Sequence, residues 1–154
     1  MENPSLKVVA HRRDGKLVKG YTEVVPVADL EALIQQEPVA LPRMITVRLV
    51  KSRKTISVPL NSLKALFFVK SFEGREEYKE VKFFETHPMI EGLWVRLKFY
   101  DNESIEGVVR NSLDLLVNPG FILKPPDPQS NNEILYVVKA SLSEFQVMGI
   151  KRTY

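Results

Sequence analysis

The sequence predicts an all-β protein built from two tandem five-stranded small barrels, the first carrying a short helical insertion. Three observations predict it. From Val95 to Phe99, the apolar Val95, Leu97 and Phe99 alternate with Arg96, Lys98 and Tyr100, the period-2 pattern of a strand with one buried face. Turn-forming residues such as Asp101-Asn102 separate successive segments of this kind. The N-terminal half also contains segments that align with those of the C-terminal half in the same order. The expected boundaries are an N-terminal barrel over 1–72 with its helical insert at 27–41, a connector over 73–92 and a C-terminal barrel over 93–154.

In the first copy, Lys7 to Tyr21 reads as a hairpin around Asp14-Gly15. The insert follows, with Asp29 as candidate N-cap, Leu30, Leu33 and Ile34 at helical spacing, and prolines on both sides. Met44 to Lys51 alternates Ile45, Val47 and Leu49 inward with Thr46, Arg48 and Val50 outward, and Ser52-Arg53-Lys54 makes the next turn. Ile56 to Val69 passes from one strand through a short turn into another. The connector is charged in its first half and apolar in its second, with Val81, Phe83, Phe84, Met89 and Ile90, and is expected to pack as a strand or clasp. In the second copy, strands are expected at Val95 to Phe99, Ile105 to Val109, Phe121 to Leu123, Ile134 to Val138 and Phe145 to Met148. The tail from Gly149 either finishes the last strand or frays.

The repeat is gapless in two places. Lys7 to Tyr21 aligns on Trp94 to Val108, placing Val8 on Val95, Asp14-Gly15 on Asp101-Asn102 and Gly20 on Gly107. Ile56 to Val69 aligns on Leu135 to Met148, placing Val58 on Val137 and Leu66 on Phe145. The copies differ mainly in their loops: the first has the helical insert where the second has Lys124 to Asn132.

At 154 residues, each half would be a domain of roughly 60 to 70 residues, marginal alone, so a shared interface is expected. With 44% hydrophobic and 27% charged residues, the composition is that of a globular protein. No apolar run approaches the roughly 18 residues of a membrane span, and MENPSLK lacks the character of a signal peptide. The expectation is a cytoplasmic protein with no membrane association. There is no cysteine, which excludes disulfides, thiolate metal sites and cysteine nucleophiles.

In the second copy, Asp101, Gly107, Phe121, Leu123 and the run Pro125-x-Asp127-Pro128-x-Ser130-Asn131-Asn132 before Val137-Val138 resemble an uncharacterised bacterial domain family. That family carries an Asp-Gly-Glu turn and an Asp-Pro-x-Ser-Asn-Asn loop; here Asn102 stands for the turn glycine, a replacement compatible with positive φ. The architecture resembles SH3-like or Sm-like barrels. The resemblance implies a fold and no activity, and it hints at bacterial signalling.

The residues offer little conventional chemistry. His11 and His87 are the only histidines, and the glutamates 73, 76, 77 and 80 read as a solvated face. No catalytic, cofactor or metal-binding residues are expected. Asp127, Ser130, Asn131 and Asn132 are candidates for a ligand-binding loop, weighed against a role in holding that loop in shape. Residues 1–72 hold twelve Lys and Arg against six Asp and Glu, a net +6, while residues 73–154 carry a net −3. Arg12 and Arg13 at the first turn, with Lys51, Arg53 and Lys54 at the next, form a candidate patch for anionic ligands. The opposite charges of the halves also favour attraction within a chain or between chains, as in a homo-oligomer. Asn102-x-Ser104-x-x-Gly107 resembles an element of PilZ domains, barrels that bind cyclic di-GMP, but no Arg-x-x-x-Arg segment precedes it. The resulting expectation is a non-catalytic binding or adaptor module with a protein partner. RNA binding through the basic half is the alternative, and cyclic di-GMP a more distant one.

Overall fold

The computed structural model describes residues 6–23, 41–73, 81–84, 92–112, 114–127 and 129–150. Ten strands form one antiparallel sheet. They are β1 (Leu6–Arg12), β2 (Leu17–Thr22), β3 (Met44–Leu49), β4 (Thr55–Pro59), β5 (Leu63–Val69), β6 (Leu93–Phe99), β7 (Ser104–Val109), β8 (Gly120–Lys124), β9 (Asn132–Val138) and β10 (Leu142–Ile150). Among the described residues a short helix, α1 (Asp114–Val117), precedes β8, and 3-10 turns at Leu60–Ser62 and Lys139–Ser141 link β4 to β5 and β9 to β10. The expected helix at 27–41 lies outside the described residues except for Leu41, which is buried in the N-terminal core. The tail's Gly149 and Ile150 finish β10.

The order across the sheet is β10-β6-β7-β8-β9-β5-β1-β2-β3-β4. The first five strands of the chain run β5-β1-β2-β3-β4 and the last five β10-β6-β7-β8-β9, the same sequence of neighbours twice. The register repeats as well. Val8 lies opposite Phe68 and Gly20 as Val95 lies opposite Val147 and Gly107. A bulge interrupts each first-strand pair near the same level, between His11 and Arg12 and between Leu142 and Glu144. The hairpin turns share their bonding: Arg12 N–H donates to Lys16 O at 2.9 Å, and Phe99 N–H to Glu103 O at 2.8 Å. Gly15 and Asn102 both take positive φ, +89° and +69°, the left-handed conformation such turns demand. In the later turns the Ser62 hydroxyl donates to Pro59 O and the Ser141 hydroxyl to Val138 O, each at 2.6 Å.

Gly20 and Gly107 recur for a steric reason. A Cβ on Gly20 would run into the Arg48 carbonyl and the Val47 side chain, and one on Gly107 into the Leu123 side chain at 2.5 Å. The third strand crosses so close to the second that no side chain fits there.

The two sets of strands are joined edge to edge by β5 and β9, with Ala65 opposite Val137 and Phe67 opposite Leu135, so the sheet is continuous. This is a closer union than packing across a connector. Alternate side chains of the shared strands serve different cores. Val8, Ala10, Leu66, Phe68, Ile134 and Tyr136 belong to one cluster with β3 and β4; Val9, Ala65, Phe67, Leu135 and Val137 belong to the other with β6 and β8. The N-terminal half therefore curls over one face of the central strands and the C-terminal half over the opposite face. That arrangement explains why β5 reads LKALFFV, without alternation: every residue in it is buried.

Candidate functional site

The basic turns are placed at the ends of β1 and β3, and their cations have different surroundings. Arg12 pairs with Asp14 at 3.2 Å, and the Arg13 guanidinium lies 5.7 Å from the centroid of the Tyr100 ring in the other half, whose hydroxyl donates to Arg13 O at 2.7 Å. Arg12 therefore braces its own turn, and Arg13 joins that turn to the other half. Lys51, Arg53 and Lys54 are exposed on the β3–β4 turn, where Arg53 takes φ +59°. Beside that turn stands a cluster that residue counting does not reveal. The Arg48 guanidinium lies 5.2 Å from the Tyr21 ring centroid, and Phe72 meets Tyr21 edge-on at 5.3 Å. Only the cross-strand pairing of Tyr21 with Arg48 brings this aromatic to the cations.

The loop before β9 is held by its own polar groups. Buried Asp127 accepts from Gln129 N–H at 2.9 Å and from Val81 N–H at 3.1 Å. The Ser130 hydroxyl oxygen accepts from Asn132 N–H at 3.0 Å. The Asn131 amide accepts from Ser71 N–H at 2.9 Å and donates to Ser71 O at 2.8 Å, tying the loop to the end of β5. Asp127, Ser130 and Asn131 thus close the loop and fasten it to the connector and the seam.

Where the halves meet, a cleft of about 170 Å³ is lined by His11, Phe67, Lys82, Glu103, Glu106 and Pro125, among others. His11 stacks on Phe67 with centroids 4.0 Å apart. Burial, and then the Lys64 ammonium, push its pKa down to about 4, so the ring is neutral at pH 7. Buried Lys64 reaches from β5 to Asp101 at 2.8 Å and Glu103 at 3.3 Å in the other half. Its ammonium holds Asp101 below the ordinary carboxylate range, with help from Glu103 N–H.

Glu106 is 1% exposed and receives donors from four directions: Phe84 N–H at 3.0 Å, Trp94 Nε1 at 3.0 Å, and Arg96 Nε and Nη2 at 2.9 and 2.6 Å. Burial raises its pKa, but the bonds from Phe84, Arg96 and Trp94 outweigh that and hold it below the usual value. Glu106 also anchors the connector, its carboxylate accepting from Phe84 N–H and its backbone N–H donating to Lys82 O at 2.9 Å. Glu106 is committed to structure, and the cleft is smaller than the several hundred Å³ typical of small-molecule sites. Among the described residues no group of three His, Asp or Glu is placed to hold a metal ion, and no helix is long and apolar enough to cross a membrane.

The two ends of the sheet are a further surface feature. Among the described residues, β4 pairs only with β3, and β10 only with β6. On β10, Phe145, Val147, Met148 and Ile150 are 41%, 51%, 38% and 60% exposed. An unpaired strand carrying this much apolar surface is a template for strand addition. Two of the three residues matching the PilZ pattern have local explanations: Asn102 supplies positive φ, and Gly107 makes room for Leu123.

Residues 5–149 match the family of unknown function DUF6982, and the chain belongs to that family. No curated protein and no solved structure matches it.

Proposed function

We propose that the chain is a non-catalytic binding module: a tandem of two five-stranded SH3-like or Sm-like barrels acting as an adaptor in the bacterial cytoplasm, in signalling, by presenting a sheet edge to a protein partner. The observation that carries this reading is β10, unpaired on one side among the described residues and lined by half-exposed Phe145, Val147, Met148 and Ile150. Its support also includes the commitment of Glu106, Asp127 and Asn131 to internal bonds. A pull-down from bacterial lysate with the full chain tests it. The expected partner is a protein whose capture survives nuclease and the combined Arg12, Arg13, Arg53 and Lys54 to Ala substitutions, and is lost on Val147→Lys. Turnover in a broad substrate screen would overturn the non-catalytic reading.

A second reading, RNA binding by the N-terminal half, is favoured by Arg48 against the Tyr21 ring beside exposed Lys51, Arg53 and Lys54. It predicts binding that weakens steeply with salt and disappears with Tyr21→Ala and the four alanines together. Cyclic di-GMP binding is the third reading, and calorimetry without heat retires it.

A further inference from the structure

We propose that copies of this chain join head to tail, β10 of one chain adding to β4 of the next in the register that joins β5 to β9 inside the chain. The inference rests on reading the sheet ends as docking edges, and it names their occupant as a second copy.

The argument begins with equivalence. β5 and β10 each flank the first strand of their half, and β4 and β9 each flank the third strand. The internal seam is therefore the flank strand of one half paired with the terminal strand of the other. Among the described residues, what remains unpaired is one strand of each of these two kinds: β10 from the C-terminal half and β4 from the N-terminal half. A second chain offers β10 the same kind of strand that β9 offers β5. Because the two edges differ, every added chain leaves one of each exposed, so the contact propagates until it closes on itself.

The register can be carried over residue by residue. Inside the chain Ala65, Leu66, Phe67 and Phe68 face Val137, Tyr136, Leu135 and Ile134. The repeat puts Glu144, Phe145, Gln146 and Val147 opposite Val58, Ser57, Ile56 and Thr55 of the next chain. The half-exposed Phe145 and Val147, and the incompletely buried Ile56, would then gain cover. Charge agrees with this polarity, since the joint sets the acidic half of one chain against the basic half of the next. The polar Glu144, Gln146, Ser57 and Thr55 stand where the internal seam has Ala65, Phe67, Tyr136 and Ile134, so the joint between chains is the weaker and depends on concentration.

The chain has no cysteine, so introduced thiols report the register without interference. Thr55→Cys and Val147→Cys, both exposed sites, are mixed under mild oxidation. The expected result is a disulfide between the two variants in large excess over either homodimer. Thr55→Cys mixed with Glu144→Cys, out of register, should give little. Sedimentation velocity of the wild type should show a mass rising past the dimer with concentration. Val147→Lys should keep the chain monomeric, whereas Leu116→Lys on α1 should leave assembly unchanged. A chain monomeric at every concentration with no mixed disulfide overturns the inference, as does a Val147→Cys homodimer that dominates. If such a monomer still captures another protein in a Val147-dependent manner, the adaptor reading stands and only self-assembly falls. If both assembly and capture are absent, both fall.

Discussion

β5 and β10 hold the same place in their halves, yet β5 is buried throughout while β10 is exposed along most of its length. The side chains that face away from their own half account for this. In β5 they are Ala65, Phe67 and Val69, all within the C-terminal core; at the matching positions β10 has the polar Glu144 and Gln146 and the half-exposed Met148. One strand has become an internal wall and its counterpart has stayed a boundary. Position in a repeated pattern does not decide burial; what lies across the next strand does.

The sharpest way to break this contrast is to truncate matched positions. Phe68→Ala in β5 should cost about 3–5 kcal/mol, because it opens a cavity between both halves, whereas Val147→Ala at the equivalent place in β10 should cost less than about 1 kcal/mol. Chemical denaturation measures both, and equal losses would erase the distinction. A second matched pair is Glu106 in β7 and Lys19 in β2. Glu106→Ala leaves Arg96 and Trp94 without their acceptor and should cost about 3 kcal/mol. Lys19→Ala, whose ammonium donates to Phe72 O at 3.2 Å on an exposed face, should stay within about 0.5 kcal/mol.

The glycines sharpen the comparison between equivalent strand crossings. Gly20→Ala should be destabilising by about 2–3 kcal/mol because its Cβ meets the Arg48 backbone, while Gly107→Ala meets a leucine side chain able to shift and should cost roughly half as much. Thermal melts of both variants check the order. A pH dependence is also expected at the seam. His11 protonates near its ordinary value of 6.5 when unfolded but only at about 4 when folded, so stability falls as pH drops from 6.5 towards 4 and levels off below. After discounting for partial solvent screening, the swing is roughly 1–2 kcal/mol. His11→Phe, which keeps a ring against Phe67, should flatten that part of the wild-type profile; an unchanged slope would assign it to the carboxylates.

Much of the sheet is legible in the sequence because its pattern is local. Alternation places Val95, Leu97 and Phe99 inside, and the hairpin at Asp101-Asn102 follows from turn chemistry. The pairing of Gly20 with Gly107 in the alignment corresponds to a shared steric need. The join between β5 and β9 is different, since the strands are far apart in the chain and nothing local specifies them as partners. Its one signal is the run LKALFFV, apolar but for Lys64 and without alternation, which marks a strand buried on both faces. Helix α1 leaves no comparable signature in four residues. Of the candidate site residues, Arg13 turns towards Tyr100 and Asn131 towards Ser71, contacts that only the meeting of distant segments creates. Lys64, the cation that ties Asp101 to the first half, sits inside an apolar run where no charge pattern singles it out.

The join between the halves also sets an order for birth on the ribosome. β5 emerges with Ala65, Phe67 and Val69 bare on one side, and the strand that covers them follows roughly seventy residues later. Through that interval the nascent chain carries an apolar, unzipped border open to other nascent chains, and the speed at which the second half is made governs how long the hazard lasts.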